Sequence, residues 1–202
     1  MSVLIPIGLA VVVGVFTYLT SARQTKRTLA TQSSPLRNPA LDAHFAKLAD
    51  ALDLKRLHVN VYEIDPINGL AAPDGQIYIT RGFLKTYLSG EVTAAEISSV
   101  IAHELGHVAL GHTKRRMIDF SGQNAVRTAL AMTLNRFIPF IGPWIANLAV
   151  NMIAAGMSRK DEFEADAYAT ALMIKAGLGA APQKSLFAKL DRLTGHGGAA
   201  PA

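Results

Sequence analysis

The sequence predicts a mainly helical α+β fold with a small β-sheet and an N-terminal transmembrane helix. Three observations carry this reading. The stretch Val3–Thr20, VLIPIGLAVVVGVFTYLT, is uncharged and about as long as one bilayer crossing. Two short segments, LHVNVYEI (Leu57–Ile64) and QIYIT (Gln76–Thr80), have strand character. Beyond Thr93 the chain reads mostly as helix.

Residues 1–22 form the expected membrane anchor. No Lys or Arg precedes the apolar run, whereas Arg23, Lys26 and Arg27 come directly after it. A signal peptide carries its positive charge in front, so an uncleaved single-pass anchor with the domain in the cytoplasm is favoured. The alternative is a cleaved signal, with Thr20-Ser21-Ala22 as the cleavage site and a periplasmic or extracellular domain. Residues 23–38 read as a polar linker, because TLATQSSPLRNP (Thr28–Pro39) is polar and holds two prolines. The main domain is expected over 39–194, with a flexible Gly/Ala/Pro tail at 195–202.

Within that domain, Leu41, Phe45, Leu48 and Leu52 fall on one face of a helix over Ala40–Leu52. INGLAAPDGQIYIT (Ile67–Thr80) reads as a hairpin turned at Asp74-Gly75. Its second strand, Gln76–Thr80, is expected to offer an edge to which an extended peptide can add. Thr93 and Glu96 form a capping box that opens a helix running to about Gly111. A second apolar stretch, Phe137–Met157, is interrupted by Pro139, Gly142, Pro143, Asn147 and Asn151. It is expected to be a buried helix or a hairpin against the membrane surface, broken at Pro139–Pro143.

Composition narrows the chemistry. Half of the 202 residues are apolar and the net charge is +5; the mean hydropathy is positive. The basic residues are dispersed and not interleaved with aromatics, so the charge is assigned to a lipid bilayer rather than to nucleic acid. There is no cysteine. Thiol catalysis, disulfides and cysteine-ligated zinc are therefore excluded, and a metal site must draw on His, Asp and Glu.

Such a site is signalled by ISSVIAHELGHVALGH (Ile97–His112). His103 and His107 lie four residues apart, which places both imidazoles on one helical face where they can share a zinc ion. Glu104 is adjacent to His103 without pointing at the ion. It is placed to take a proton from a water that zinc has acidified. The flanking Ile97, Val100, Ile101, Leu105 and Val108 imply a buried helix rather than a solvated one. A catalytic zinc needs a third protein ligand and an open position. His112 is one candidate, but it lies five residues after His107 with Gly111 adjacent to it, whereas the family of zinc proteases with three histidine ligands places its third histidine six residues after the second, with a glycine midway. Glu162 in SRKDEFEADAYA (Ser158–Ala169) is the better candidate. Asp166, one helical turn on, can accept a hydrogen bond from the outer ring nitrogen of a zinc-bound histidine. Glu164 points elsewhere and reads as a solvated charge. Arg159 and Tyr168 are the nearest candidates for stabilising an oxyanion, with Arg159 also readable as a salt-bridge partner.

Together, SSVIAHELGHVALGH and SRKDEFEADAYA resemble the zinc metallopeptidases that include the CAAX prenyl protease and the bacterial HtpX and BepA enzymes. NGLAAPDGQIYITRGFL (Asn68–Leu84) is similar to that family's edge-strand region. The resemblance covers roughly Pro39–Leu193. It implies a zincin-like domain binding one zinc ion per chain through His103, His107 and Glu162, with Glu104 as general base and Asp166 behind the ligands. It also implies a membrane-linked enzyme that cleaves protein or peptide substrates, membrane proteins among them, in quality control. A non-proteolytic zinc-binding assembly factor and a small-molecule zinc hydrolase are the rival readings. The family commonly continues into a segment with a His-Pro pair near the cleft. The sequence ends at Ala202 without one, and His196 is no substitute, so a missing C-terminal segment is expected. HtpX-type members also carry several spans, against one expected here.

Overall fold

The computed structural model describes residues 4–72, 74–112, 115, 127, 130 and 142–193. Two compact units emerge: residues up to 27 with 111–163, and residues 28–110 with 164 onward. The first helix, α1 (Leu4–Thr31), and a later one, α5 (Gly142–Lys175), are each continuous across the division.

The second unit is built on a four-stranded sheet. Its strands are β1 (Ser33–Pro35), β2 (Val59–Tyr62), β3 (Gly69–Ala71) and β4 (Ile77–Thr80), in the order β1-β2-β4-β3. β1 runs antiparallel to β2, β2 parallel to β4, and β3 antiparallel to β4. The helices are α2 (Pro39–Ala51), α3 (Arg81–Leu88), α4 (Ala94–Ala109), the C-terminal part of α5, and α6 (Ala181–Leu193). The period that marked α2 holds: Leu41, Phe45 and Leu48 are buried, and Asn38 caps the helix by accepting from the backbone of Ala40 and Leu41. Val59, Val61, Ile77 and Ile79 from the sheet meet Phe83, Ile97, Ile101 and Leu105 in one core, closed by Leu172, Met173 and Leu186. Leu29, at the end of α1, packs with Tyr78 and Ala72 in a separate small cluster.

Three sequence expectations change. The stretch read as a linker over 23–38 continues α1 to Thr31 and then supplies β1, so its polar composition concealed an edge strand. The expected edge strand at Gln76–Thr80 is interior: β4 lies between β2 and β3, and all four of its residues are buried. IYIT carries no charge, which suits a strand paired on both sides; exposed edges tend to carry charges that discourage pairing. The edge is β3. Finally, no break occurs at Pro143. This residue falls in the first turn of α5, where its missing N–H is harmless, and the helix runs unbroken into SRKDEFEADAYA. Pro139 and the rest of the apolar stretch before Gly142 lie outside the described residues, as do His196 and the tail.

In the first unit, α1 is helical over most of the segment read as an anchor, and Val12, Val15, Phe16 and Leu19 are exposed on it. Among the described residues, no helix is long and apolar enough to cross a membrane.

Candidate metal centre

α4 is fixed at its start by the expected capping box. Thr93 accepts from the Glu96 backbone, and Glu96 accepts from the Thr93 N–H at 2.8 Å. Glu96 is almost fully buried and also receives the Ser185 hydroxyl at 2.6 Å and Lys189 Nζ at 2.8 Å, both from α6. Burial opposes its charge. The hydrogen bonds from Lys189, Ser185 and the Thr93 backbone outweigh that opposition and hold its carboxyl below the ordinary glutamate value.

Two turns along, His103 and His107 face each other. Their Nε2 atoms are 3.1 Å apart and the rings meet edge to face, with centroids 4.7 Å apart. His103 Nδ1 lies 2.8 Å from Asp166 Oδ1 on α5. A carboxylate there accepts, so Nδ1 carries the proton and the Nε2 lone pair turns toward His107. Two ligand nitrogens on one tetrahedral zinc, each at about 2.05 Å, stand roughly 3.3 Å apart. The separation and the fixed tautomer of His103 both fit a shared cation.

The close approach of α4 to α5 depends on small residues that the sequence pattern alone did not mark. A Cβ on Gly106 would lie 3.1 Å from the Ala165 carbonyl oxygen and 3.2 Å from Ala165 Cα and Tyr168 Cβ. Ala165 and Ala169 are fully buried along α5. The Asp166 turn is further fastened by Gln183 of α6, whose side-chain nitrogen donates to the Asp166 carbonyl at 3.3 Å. Thr170 donates to Gln183 at 2.7 Å. The helical period of α5, with alanines at 165 and 169 flanking Asp166, was the available signal for this seam.

Glu104 is half-buried beside the edge strand. A Cβ on Gly69 of β3 would come within 3.4 Å of Glu104 Cγ and 2.5 Å of Val100 Cγ1, so glycine lets β3 lie directly on α4. The Asn68–Thr80 and Ala72–Gln76 hydrogen bonds bracket the β3–β4 ladder. By the antiparallel alternation, Leu70 pairs toward β4, while the N–H and C=O groups of Gly69 and Ala71 point off the free edge.

The structure therefore brings His103, His107 and Asp166 together and sets Glu104 next to the sheet edge. Glu162 is half-buried and stands one turn before Asp166 on the same unbroken helix. Arg159 is exposed, and Tyr168 is half-buried against Gly106. Glu164 is half-buried rather than fully solvated. His112 is completely buried.

The model of peptidase family M48 matches residues 35–192, which include the whole of this arrangement. The chain belongs to peptidase family M48. Proteins of this family are metal-dependent, normally on zinc. The chain is similar to the metalloprotease LoiP of Escherichia coli, 31% identical over 72% of this chain and 56% of LoiP. Against the metalloprotease YcaL of the same organism it is 30% identical, over 74% of this chain and 59% of YcaL. The human mitochondrial metalloendopeptidase OMA1 is 27% identical over 58% of this chain and 23% of OMA1. The chain thus spans little more than half the length of the bacterial relatives it matches.

Proposed function

We propose that this protein is a membrane-anchored zinc metalloendopeptidase. His103, His107 and Glu162 hold one zinc ion, Glu104 is the general base, and Asp166 orients His103. The observation that carries this reading is the Asp166–His103 hydrogen bond, which joins two segments 63 residues apart and turns a ring lone pair toward His107. Glu162 shares the helical face of Asp166, the phase needed for a carboxylate ligand from α5.

Bound zinc supplies Lewis acidity, which polarises a carbonyl and acidifies a water. Glu104 accepts the proton of the attacking water and returns it to the departing amine. The outward backbone groups of Gly69 and Ala71 align an extended peptide next to Glu104, an arrangement suited to varied substrate sequences. Exposed Val12, Val15, Phe16 and Leu19 support anchoring through α1, with the basic residues after them on the cytoplasmic side. A role in membrane-protein quality control is consistent with such an anchor on a peptidase.

Casein turnover by the wild type and by Glu104→Gln, each with measured zinc content, tests the reading. The substitution is expected to lower kcat by about 10²–10⁴-fold at unchanged zinc. Zinc retained in both proteins with equal inactivity would instead indicate a non-proteolytic scaffold. A reporter fused at the C-terminus checks the topology.

A further inference from the structure

A second polar cluster lies beside the ligand segment and is not used by the chemistry above. Asp161 precedes Glu162 on α5, and its side chain is only 4% exposed. It accepts a charge-assisted hydrogen bond from Arg115 Nη2 and lies 3.8 Å from His112 Nε2. His112 is sealed from solvent, while the Arg115 side chain is 44% exposed. Gly111 makes this cluster accessible to the chain. Its φ of 72° turns the backbone out of α4, a conformation that favours glycine, and its carbonyl accepts from the Arg115 N–H at 3.0 Å.

The consequence of this cluster lies one residue away. Asp161 and Glu162 share a helical turn, so whatever fixes Asp161 also fixes the rotation of the turn that presents Glu162. A carboxylate about 6 Å from a helix axis sweeps roughly 1 Å when the helix turns by about 10°. Metal–ligand distances tolerate about 0.2 Å. We propose that the Arg115–Asp161 pair, backed by His112, is a positioning device that holds the turn of α5 carrying Glu162, the proposed zinc ligand. This rests on the assignment of Glu162 as a ligand.

The test uses the full chain and measures three things: zinc Kd by chelator competition, the visible spectrum of the cobalt-substituted protein, and the apo-protein Tm. Asp161→Asn and Arg115→Ala are each expected to weaken zinc binding by about tenfold or more, the range found for groups behind metal ligands. Both should perturb the cobalt spectrum, and Arg115→Lys should recover most of the affinity. Wild-type zinc Kd and cobalt spectrum in folded Asp161→Asn and Arg115→Ala, even with a lowered Tm, overturn the proposal. Should Asp161→Asn fail to fold, Arg115→Ala decides alone, because its half-exposed side chain leaves little void. Glu162→Gln separates the two layers. If it loses zinc while the Asp161 and Arg115 variants keep it, only the positioning role fails. If it keeps zinc itself, the ligand assignment fails and the positioning role fails with it.

Discussion

The two ends of α4 each join this helix to later parts of the chain through buried or half-buried polar groups, yet they are built on opposite principles. At the N-terminal end, the Glu96 carboxylate is met by the Thr93 N–H, the Ser185 hydroxyl and the Lys189 ammonium. Donors and acceptor are matched, so this end is a fastening. Near the other end, Asp166 takes the outer nitrogen of His103 and leaves two ring nitrogens converging at 3.1 Å. In the proposed reading, that end is completed by a cation. A satisfied cluster holds a fold, whereas an arrangement of converging donors prepares a site.

The largest effect separates these roles. His103→Ala should abolish stoichiometric zinc binding and reduce peptidase activity by about 10³-fold or more. Glu96→Ala should leave zinc content intact while costing about 3 kcal/mol of stability, since it strips the partner from a mostly buried Lys189. Zinc analysis and chemical denaturation of both variants check the contrast. Zinc loss in Glu96→Ala, with the fold retained, would break it.

Much of this contrast was readable in the sequence, because it rests on local spacing. The capping box and the His-x-x-x-His pair are both within one or two helical turns, and the Glu162–Asp166 spacing is a single turn. Strand order was not readable: alternation in QIYIT says nothing about which neighbours a strand acquires, and β4 became interior only because β3 folds back beyond it. β1 was hidden for a similar reason, since three residues of polar edge strand are compositionally a linker. The roles of Gly106 and Gln183 depend on contacts between distant segments, so they emerged only when α4, α5 and α6 were seen packed.

A smaller effect sharpens the catalytic end. Asp166→Asn keeps the shape of the side chain but removes the charge that fixes the His103 tautomer. Zinc affinity should fall by about 10–100-fold, with the overall fold unchanged. Chelator competition together with circular dichroism measures this. An unchanged affinity would mean that the hydrogen bond merely packs two helices together.

Smaller still is the effect expected at the sheet edge. Ala71→Pro removes an N–H that points away from β4, so the ladder to β4 is spared. Loss of one backbone hydrogen bond to an extended peptide should raise KM by roughly 2–10-fold, with zinc content unchanged. If KM does not move, the substrate runs elsewhere than along β3.

The smallest effect concerns the fastening and has a definite sign. The Glu96 carboxyl is held below its ordinary value because the bonds from Lys189, Ser185 and Thr93 prevail over the opposing effect of burial. A lowered carboxyl pKa in the folded state means that the unfolded chain binds the proton more readily. The resulting stability is fully present above the unfolded glutamate value, near 4.5. It disappears as pH falls from there through the lower folded value. Other acids also titrate there, and the informative quantity is the difference between the wild type and Glu96→Gln. Urea unfolding from pH 6 down to pH 3 should give a stability advantage for the wild type that is constant above about pH 5 and shrinks below it. Zinc release in the same range should be equal in both proteins, since the fastening holds α4 without taking part in metal binding. An advantage that grows on acidification would show that Lys189 and Ser185 do not stabilise the ionised form.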